Sequence, residues 1–213
     1  MSELRCARCG HQACRQDAEV ADYPRFCPMI DSVFEEALGE ARPTYQELET
    51  RTIAAAAART EAAGYCRDTR VEEILSFAER LGAKHVGVAF CVGLVTEARL
   101  FQDILERHGF LVSSVCCKVG AMPKEELGLG DHEEIRQGQP ENSCNPVGQA
   151  KLLEAAGTEL NIMIGLCVGH DTLFMRNSHA PVTVLVVKDR VLGHNPVAAL
   201  YLSRSYYRRL REG

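Results

Sequence analysis

Ten cysteines are the residues of this chain whose number and spacing indicate chemistry. Thiolates bind zinc and iron–sulfur clusters, and free thiols also carry out redox reactions. The first residues, MSELRCARCG, contain no apolar signal region, which predicts a cytoplasmic protein. Because a reducing cytoplasm disfavours structural disulfides, a chain so rich in cysteine is interpreted as metal-binding or thiol-reactive.

Composition narrows the class of protein further. The 213 residues are 46% hydrophobic and 25% charged, as in an ordinary globular chain. A net charge of -5 gives no overall basic field, so nucleic acid is not expected as a partner. The longest uncharged apolar run, Val86 to Val95, is too short to span a membrane.

Four cysteines form a group near the start of the chain, where residues 1–30 hold few large apolar side chains; the segment assigned to this group is 1–35. Their pattern is C-x2-C-x4-C-x12-C-P, formed by Cys6, Cys9, Cys14 and Cys27. A C-x2-C pair suits tetrahedral metal coordination, and Pro after the last cysteine is typical of bacterial ferredoxin sites. We predict a metal-binding knuckle here, with iron–sulfur favoured over zinc and His11 able to replace one cysteine. The alternative is a tail of unliganded thiols.

Residues 40–213 alternate between helical patterns and short apolar runs, which predicts an α/β domain with a parallel sheet. The fold class is a three-layer, Rossmann-like or flavodoxin-like sheet of strand order 2-1-3-4. A long polar loop, 118–143, is expected to be functional or disordered. The predicted helices are 43–63, 69–81, 94–107, 145–156 and a tail helix near 196–211, and the predicted strands are 84–90, 110–115, 160–165 and 182–188.

The remaining cysteines fall at one edge of this predicted sheet. Cys91 and Cys167 follow the two strands that flank the expected ligand crevice, and Cys144 precedes the helix leading into the third strand. Of the pair Cys116 and Cys117, which alternate in direction, Cys117 is the better candidate for the crevice. We therefore predict a second, cofactor-binding centre on Cys91, Cys117, Cys144 and Cys167. Whether Cys66 or Cys116 also binds metal stays open.

Other interpretations of these residues stand beside the metal centre. Buried cysteines pack as small hydrophobes, so the group could be structural. A metal-free dithiol site is a second alternative, because Lys118 adjoins Cys117 and thiolates form near cations. His170 and Asp171 are candidate catalytic residues, as a proton donor and the group that orients it. They could equally be a surface histidine and a helix-capping aspartate.

Several long strings resemble one protein family. These are CARCG, HVGVAFCVGL, CNPVGQA, LNIMIGLCVGHDTLF and APVTVLVVKDRVLGHNPVAALY. They are similar to an uncharacterised bacterial and archaeal family, domain of unknown function 1847, whose members are often labelled metal-binding. The resemblance implies metal binding through both cysteine groups, and the family's presence among anaerobes favours iron–sulfur, 4Fe-4S, over zinc. It implies no particular reaction.

The sequence thus predicts a cytoplasmic metal-binding protein with two cysteine sites that support redox or sulfur chemistry on a small molecule. An electron-transfer partner is expected with such a centre, and a homodimer is an open question. The alternatives are a non-catalytic zinc-binding or metal-sensing module and a metal-free dithiol oxidoreductase.

Overall fold

The computed structural model describes residues 4–16, 19 and 22–212. The chain divides into two compact units, Met1–Arg59 and Thr60–Gly213. The sequence predicts a knuckle at 1–35 and an α/β domain at 40–213. Part of the predicted knuckle (1–3, 17, 18, 20 and 21) lies outside the described residues. In the described ranges, no helix has the length and apolar character needed to cross a membrane.

The first unit contains helical elements that sequence reasoning partly missed. Two short 3-10 turns, Cys6–Arg8 and Ala13–Arg15, precede helix α1 (Ser32–Thr44). Helix α2 (Leu48–Gly64) follows, and its last residues belong to the second unit. The predicted start of a helix at residue 43 was wrong, because Pro43 lies inside the last turn of α1. The backbone N–H of Gln46 donates to the carbonyl of Pro43, so the chain turns there before α2 begins.

The second unit is the predicted α/β domain. Its four strands are all parallel in the order β2-β1-β3-β4, which confirms the predicted topology. The elements in chain order are α3 (Arg70–Leu81), β1 (His85–Phe90), α4 (Val95–Arg107), β2 (Leu111–Cys116), α5 (Pro146–Ala155), β3 (Leu160–Ile164), α6 (His170–Asn177), β4 (Val182–Val186) and α7 (Val197–Tyr201). The tail helix was predicted too long, since α7 ends at Tyr201 and only a 3-10 turn, Arg208–Arg211, follows.

Helices cover both faces of the sheet and create two apolar layers. One layer packs α3 and α4 against the sheet around Phe101 and Ile162. The other packs α5 and α6 around Leu153 and Phe174, and it includes Cys91. The sheet is therefore the middle of three layers, and the second layer ends at the cysteine edge.

A substitution in β1 tests how tightly the sheet packs. A Cβ on Gly87 would lie 2.0 Å from Oδ1 of Asn161, a side chain only 1% exposed. That oxygen accepts a hydrogen bond from Thr158 Oγ1 at 2.8 Å, and the amide nitrogen donates to Ser178 Oγ at 2.8 Å. Gly87→Ala should therefore lower the free energy of unfolding by about 2–4 kcal/mol, measured by urea denaturation. Gly39→Ala, with no neighbour within 4 Å, is the matched control, and equal stability of both variants would contradict this packing.

Candidate functional site

Two adjacent strands place the first two cysteines of the site. Cys91 directly follows β1, and its N–H donates to the carbonyl of Ile164 at the end of β3 at 3.0 Å. Cys117 directly follows β2, and its N–H donates to the carbonyl of Phe90 at 2.8 Å. Both residues therefore extend the parallel hydrogen-bond ladder by one step. Their side chains are 5% and 1% exposed, respectively, so the sheet holds both thiols in fixed, buried positions.

The start of α5 delivers the third cysteine. The backbone N–H of Asn145 donates to the carbonyl of Cys117 at 2.8 Å, which ties the entry of α5 to the end of β2. The Asn145 side chain accepts from the N–H of Gly148 at 2.8 Å and so caps the helix, as predicted. Lys118 donates to the carbonyl of Asn142 and pins the preceding loop. Cys144 is thereby held beside Cys117.

The fourth cysteine lies between β3 and α6. The carbonyl of Cys167 accepts from the N–H groups of His170 at 2.9 Å and Asp171 at 3.0 Å, which closes the first turn of α6. Gly169 caps that helix at φ +85, a left-handed conformation that glycine adopts most readily. Arg190, just after β4, donates from Nη2 to the Cys167 sulfur at 3.0 Å.

These four cysteines line one pocket. Its volume is about 760 Å³, within the range of small-molecule sites. Much of the remaining lining comes from the loop 118–143, including Leu127, Ile135 and Arg136. The lining also contains Lys118, Arg190 and the imidazole of His170. The four cysteines thus meet in one pocket at the carboxyl edge of the sheet.

Three of the thiols form a hydrogen-bonded chain. The Cys91 thiol donates to Cys117, and the Cys117 thiol donates to Cys144. The bond that it donates, together with burial, raises the pKa of Cys91 to about 12. Donation to Cys144 likewise raises the pKa of Cys117 to about 11. The bond from Cys117 and the charge of Lys118 lower the pKa of Cys144 to about 7, so Cys144 is the thiol most readily ionised.

The thiol that ionises most readily is therefore Cys144, whereas the sequence had indicated Cys117. Sequence reasoning took Cys117 as the thiolate because Lys118 follows it. In the structure Cys117 gives its hydrogen bond to Cys144, which therefore carries the low pKa. Spacing along the chain could not show this, since the two residues are brought together by the turn into α5.

The two predicted catalytic residues have different surroundings. His170 lines the pocket, and its buried Nδ1 has no hydrogen-bond partner among the described residues. Burial lowers the pKa of His170, so the imidazole is neutral at neutral pH. Asp171 accepts instead from the N–H of Thr172 at 2.7 Å, in the first turn of α6. The contacts of Asp171 are thus those of a helix-start carboxylate.

Gln149 is a buried residue of the site's support that sequence reasoning missed. Its side chain is 0% exposed, and Nε2 donates to the carbonyl of Val115 at 2.7 Å and of Phe90 at 3.2 Å. Those carbonyls lie in the last two residues of the strands that lead to Cys117 and Cys91. Gln149 therefore links the two cysteine-bearing strands from α5. Its one available signal was a long polar side chain on the buried face of a predicted helix.

The other cysteines do not line this pocket. Cys116 packs against the apolar layer under α5, and Cys66 is exposed at a turn with φ +55. In the first unit, Cys6 and Cys14 are exposed, whereas Cys9 and Cys27 are partly buried. Within the described ranges, no three or more His, Cys, Asp or Glu side chains already stand in a metal-holding arrangement. All ten cysteines are free thiols.

A family model decides where this chain belongs. The model, described as a protein of unknown function (DUF1847), matches residues 29–185. The chain is a member of this family. The match includes all four pocket cysteines of the DUF1847 domain, from Cys91 to Cys167. Cys6, Cys9, Cys14 and Cys27, as well as Arg190, lie outside the matched residues.

A relative of the DUF1847 chain is known by sequence from an archaeon. It is the uncharacterized protein MJ0455 of Methanocaldococcus jannaschii, 45% identical over 169 residues. The aligned region covers 79% of this chain and 85% of that protein. The resemblance noted in the sequence is thus confirmed at the level of the family.

Proposed function

We propose that Cys91, Cys117, Cys144 and Cys167 form a metal centre at the carboxyl edge of the sheet. One observation carries the proposal: four thiols from four different parts of the domain line a single pocket, and Cys117 interacts with both Cys91 and Cys144. Separate cysteines that merely filled the core would not need to meet. The centre would be an iron–sulfur cluster or a zinc ion.

The donor set fits such a centre chemically. Thiolates are the preferred ligands of zinc and of iron–sulfur clusters, and the lining offers four of them. The thiols now hydrogen-bond to one another, as protonated thiols do, so binding requires the loss of those protons. The direct interactions of Cys117 with Cys91 and Cys144 favour a single ion, because a four-iron cluster would have to push these sulfurs apart. The resemblance to an anaerobe-rich family favours the cluster.

Residues around the sulfurs would balance the charge of the centre. Lys118 lowers the pKa of Cys144 and so favours its thiolate form. Arg190 places a second cation against the centre by donating to the Cys167 sulfur. His170 presents a neutral imidazole that could hold or release a proton at the pocket wall. When bound, a cluster would supply electron transfer and a zinc ion would supply Lewis acidity. Redox or sulfur chemistry on a small molecule is the reaction class that we propose.

Three further parts of the proposal concern the rest of the chain. The N-terminal cysteines would form a second metal site, and an electron-transfer partner would be needed if the centre is a cluster. A cytoplasmic location agrees with ten free thiols, since a reducing compartment preserves them.

Metal analysis of anaerobically purified protein tests the proposal. We expect iron with acid-labile sulfide, or zinc, bound in stoichiometric amount and retained through gel filtration. Zinc without iron would eliminate the cluster form. A chain without any tightly bound metal, and with no affinity for added zinc or reconstituted cluster, would refute the centre.

A metal-free dithiol function is a second candidate, favoured by the thiol chain itself. A Cys144 thiolate could attack a substrate disulfide and release one substrate thiolate. Cys117 would then lose its proton to solvent, attack the mixed disulfide and release the second thiolate. The products are a Cys117–Cys144 disulfide and the reduced substrate, so two electrons pass from the chain to the substrate.

The pH dependence of alkylation tests this dithiol function. In metal-free protein, the rate at which iodoacetamide modifies Cys144 should reach half its maximum near pH 7. Cys117→Ala removes the donated hydrogen bond and should move that midpoint upward, toward the usual 9.0. Mass spectrometry of the Cys144 peptide gives the rate. An unchanged midpoint in the variant would show that Cys117 does not activate Cys144.

A further inference from the structure

The pocket has an excess of cationic side chains that its carboxylates do not balance. Its lining contains four cations, Lys118, Lys124, Arg136 and Arg190. Among the described lining residues, Glu141 is the one carboxylate. The chain as a whole carries a net charge of -5, so the lining side chains are more basic than the chain that holds them.

The single carboxylate is already occupied. Glu141 lies 3.1 Å from the Lys124 ammonium and also accepts from the N–H of Ile135 at 2.9 Å. Lys124 and Glu141 therefore neutralise each other and brace the loop wall. Three cations remain whose charge no lining carboxylate offsets.

Two of those cations are held in place by neutral groups. Lys118 donates to the carbonyl of Asn142, and Arg190 donates to the sulfur of Cys167. A tight turn positions Arg190, because the carboxylate of Asp189 accepts from the N–H groups of Val191 and Leu192, each at 2.9 Å. Both cations thus lie beside the sulfur-lined end of the pocket, and both keep donors free for a ligand.

A buried histidine nitrogen adds an independent observation. Nδ1 of His170 is buried, has no partner among the described residues, and belongs to a side chain that lines the same pocket. Buried polar atoms without partners are rare in folded proteins and commonly indicate a missing ligand or water. Nδ1 of His170 is therefore a polar atom of a lining side chain that lacks a partner within the described part of the chain.

We infer that the pocket binds a small anionic molecule, bearing a carboxylate or a phosphate group, against Lys118, Arg190 and His170. The inference names the substrate class for the proposed thiol site, and it rests on the proposed function only in using the same pocket. An anion held there would lie beside Cys144 and Cys167. Arg136, on the loop wall, would extend the cationic surface toward the pocket entrance.

Charge-selective alkylation of the full-length, chelator-treated chain tests the inference. Iodoacetate is anionic and iodoacetamide is neutral, and both react with the same thiolate, so the ratio of their rates reports the local field. At Cys144 and Cys167 this ratio should exceed that of exposed Cys66 in the same molecule by about tenfold. Inorganic phosphate should slow iodoacetate at the pocket cysteines and leave Cys66 unaffected. Equal ratios at all three cysteines would overturn the inference.

Two variants separate the cationic wall from a general effect of charge. Lys118→Gln combined with Arg190→Gln should bring the ratio at Cys144 and Cys167 to within about twofold of Cys66. Arg99→Gln, which replaces an exposed arginine on α4 outside the lining, should leave the ratio unchanged.

A second measurement uses the wild-type chain, so that it does not depend on the folding of the double variant. Inorganic phosphate should raise the thermal midpoint of the wild-type chain as purified. If phosphate neither raises that midpoint nor slows alkylation, the anion site does not exist.

The outcome is independent of metal content. If the chain binds no metal but shows the elevated ratio, the metal centre is refuted and the anion site is supported. A metal-binding chain with equal ratios would do the reverse.

Discussion

Replacing Cys117 by serine is expected to remove the metal from the pocket. Cys117 is 1% exposed and is the thiol that contacts both Cys91 and Cys144, so it is the central ligand of the proposed centre. Mutating a residue that hydrogen-bonds to a metal ligand typically lowers metal affinity by about 10–100-fold. Loss of the ligand itself should therefore lower the affinity by more than about 100-fold. The measurement is metal per chain after anaerobic purification, with affinity determined by chelator competition.

The adjacent cysteine provides the matched control. Cys116 differs from Cys117 by one position, does not line the pocket and packs against the apolar layer under α5. Cys116→Ser should retain the metal. Both variants are best made in a background with Cys6→Ser and Cys9→Ser, so that the N-terminal group contributes no metal. Equal metal content in Cys116→Ser and Cys117→Ser would contradict the assignment of ligands.

Metal affinity should rise steeply with pH, and this is the second large effect. The pKa values of Cys91 and Cys117 are raised to about 12 and about 11, so both thiols are protonated at neutral pH. A metal that binds them must displace at least two protons. Its apparent association constant should therefore increase by about a hundredfold per pH unit between pH 7 and 8.5.

The sign of this effect follows from the direction of the shifts. A raised pKa favours the protonated thiol in the free protein, so lowering the pH opposes binding and raising it assists binding. Competition with a chromophoric zinc chelator, corrected for the chelator's own protonation, gives the slope. Cys91→Ala should reduce the slope by about one proton, whereas Cys116→Ser should leave it unchanged. A slope near zero in the wild type would mean that neither buried thiol is a ligand.

The positions of the four cysteines could be predicted because parallel topology leaves few choices. Cys91, Cys117 and Cys167 follow strands, and strands of a parallel sheet end at one edge. Cys144 precedes a helix capped by Asn145, which has to start at the same edge. Local patterns sufficed for these elements, since capping residues and apolar runs act over a few residues.

The roles of the individual side chains could not be predicted in this way. Arg190 reaches Cys167 from 23 positions away, and nothing about a charged residue in a turn distinguishes it from a solvated one. Gln149 bridges Phe90 and Val115 across the gap between two strands. Such contacts depend on the distance between elements that are remote in the chain.

The sequence by itself determined the α/β class, the strand order and the edge at which the sulfur atoms collect, because short-range periodicity and the handedness of crossovers fix them. Only the tertiary structure decided which thiol donates to which, and hence that Cys144 and not Cys117 is the acidic one. It also decided that unmatched cations lie beside the sulfurs in one pocket. The reason is that hydrogen bonds and electrostatic fields act over a few ångströms in space, whatever the separation of the residues along the chain.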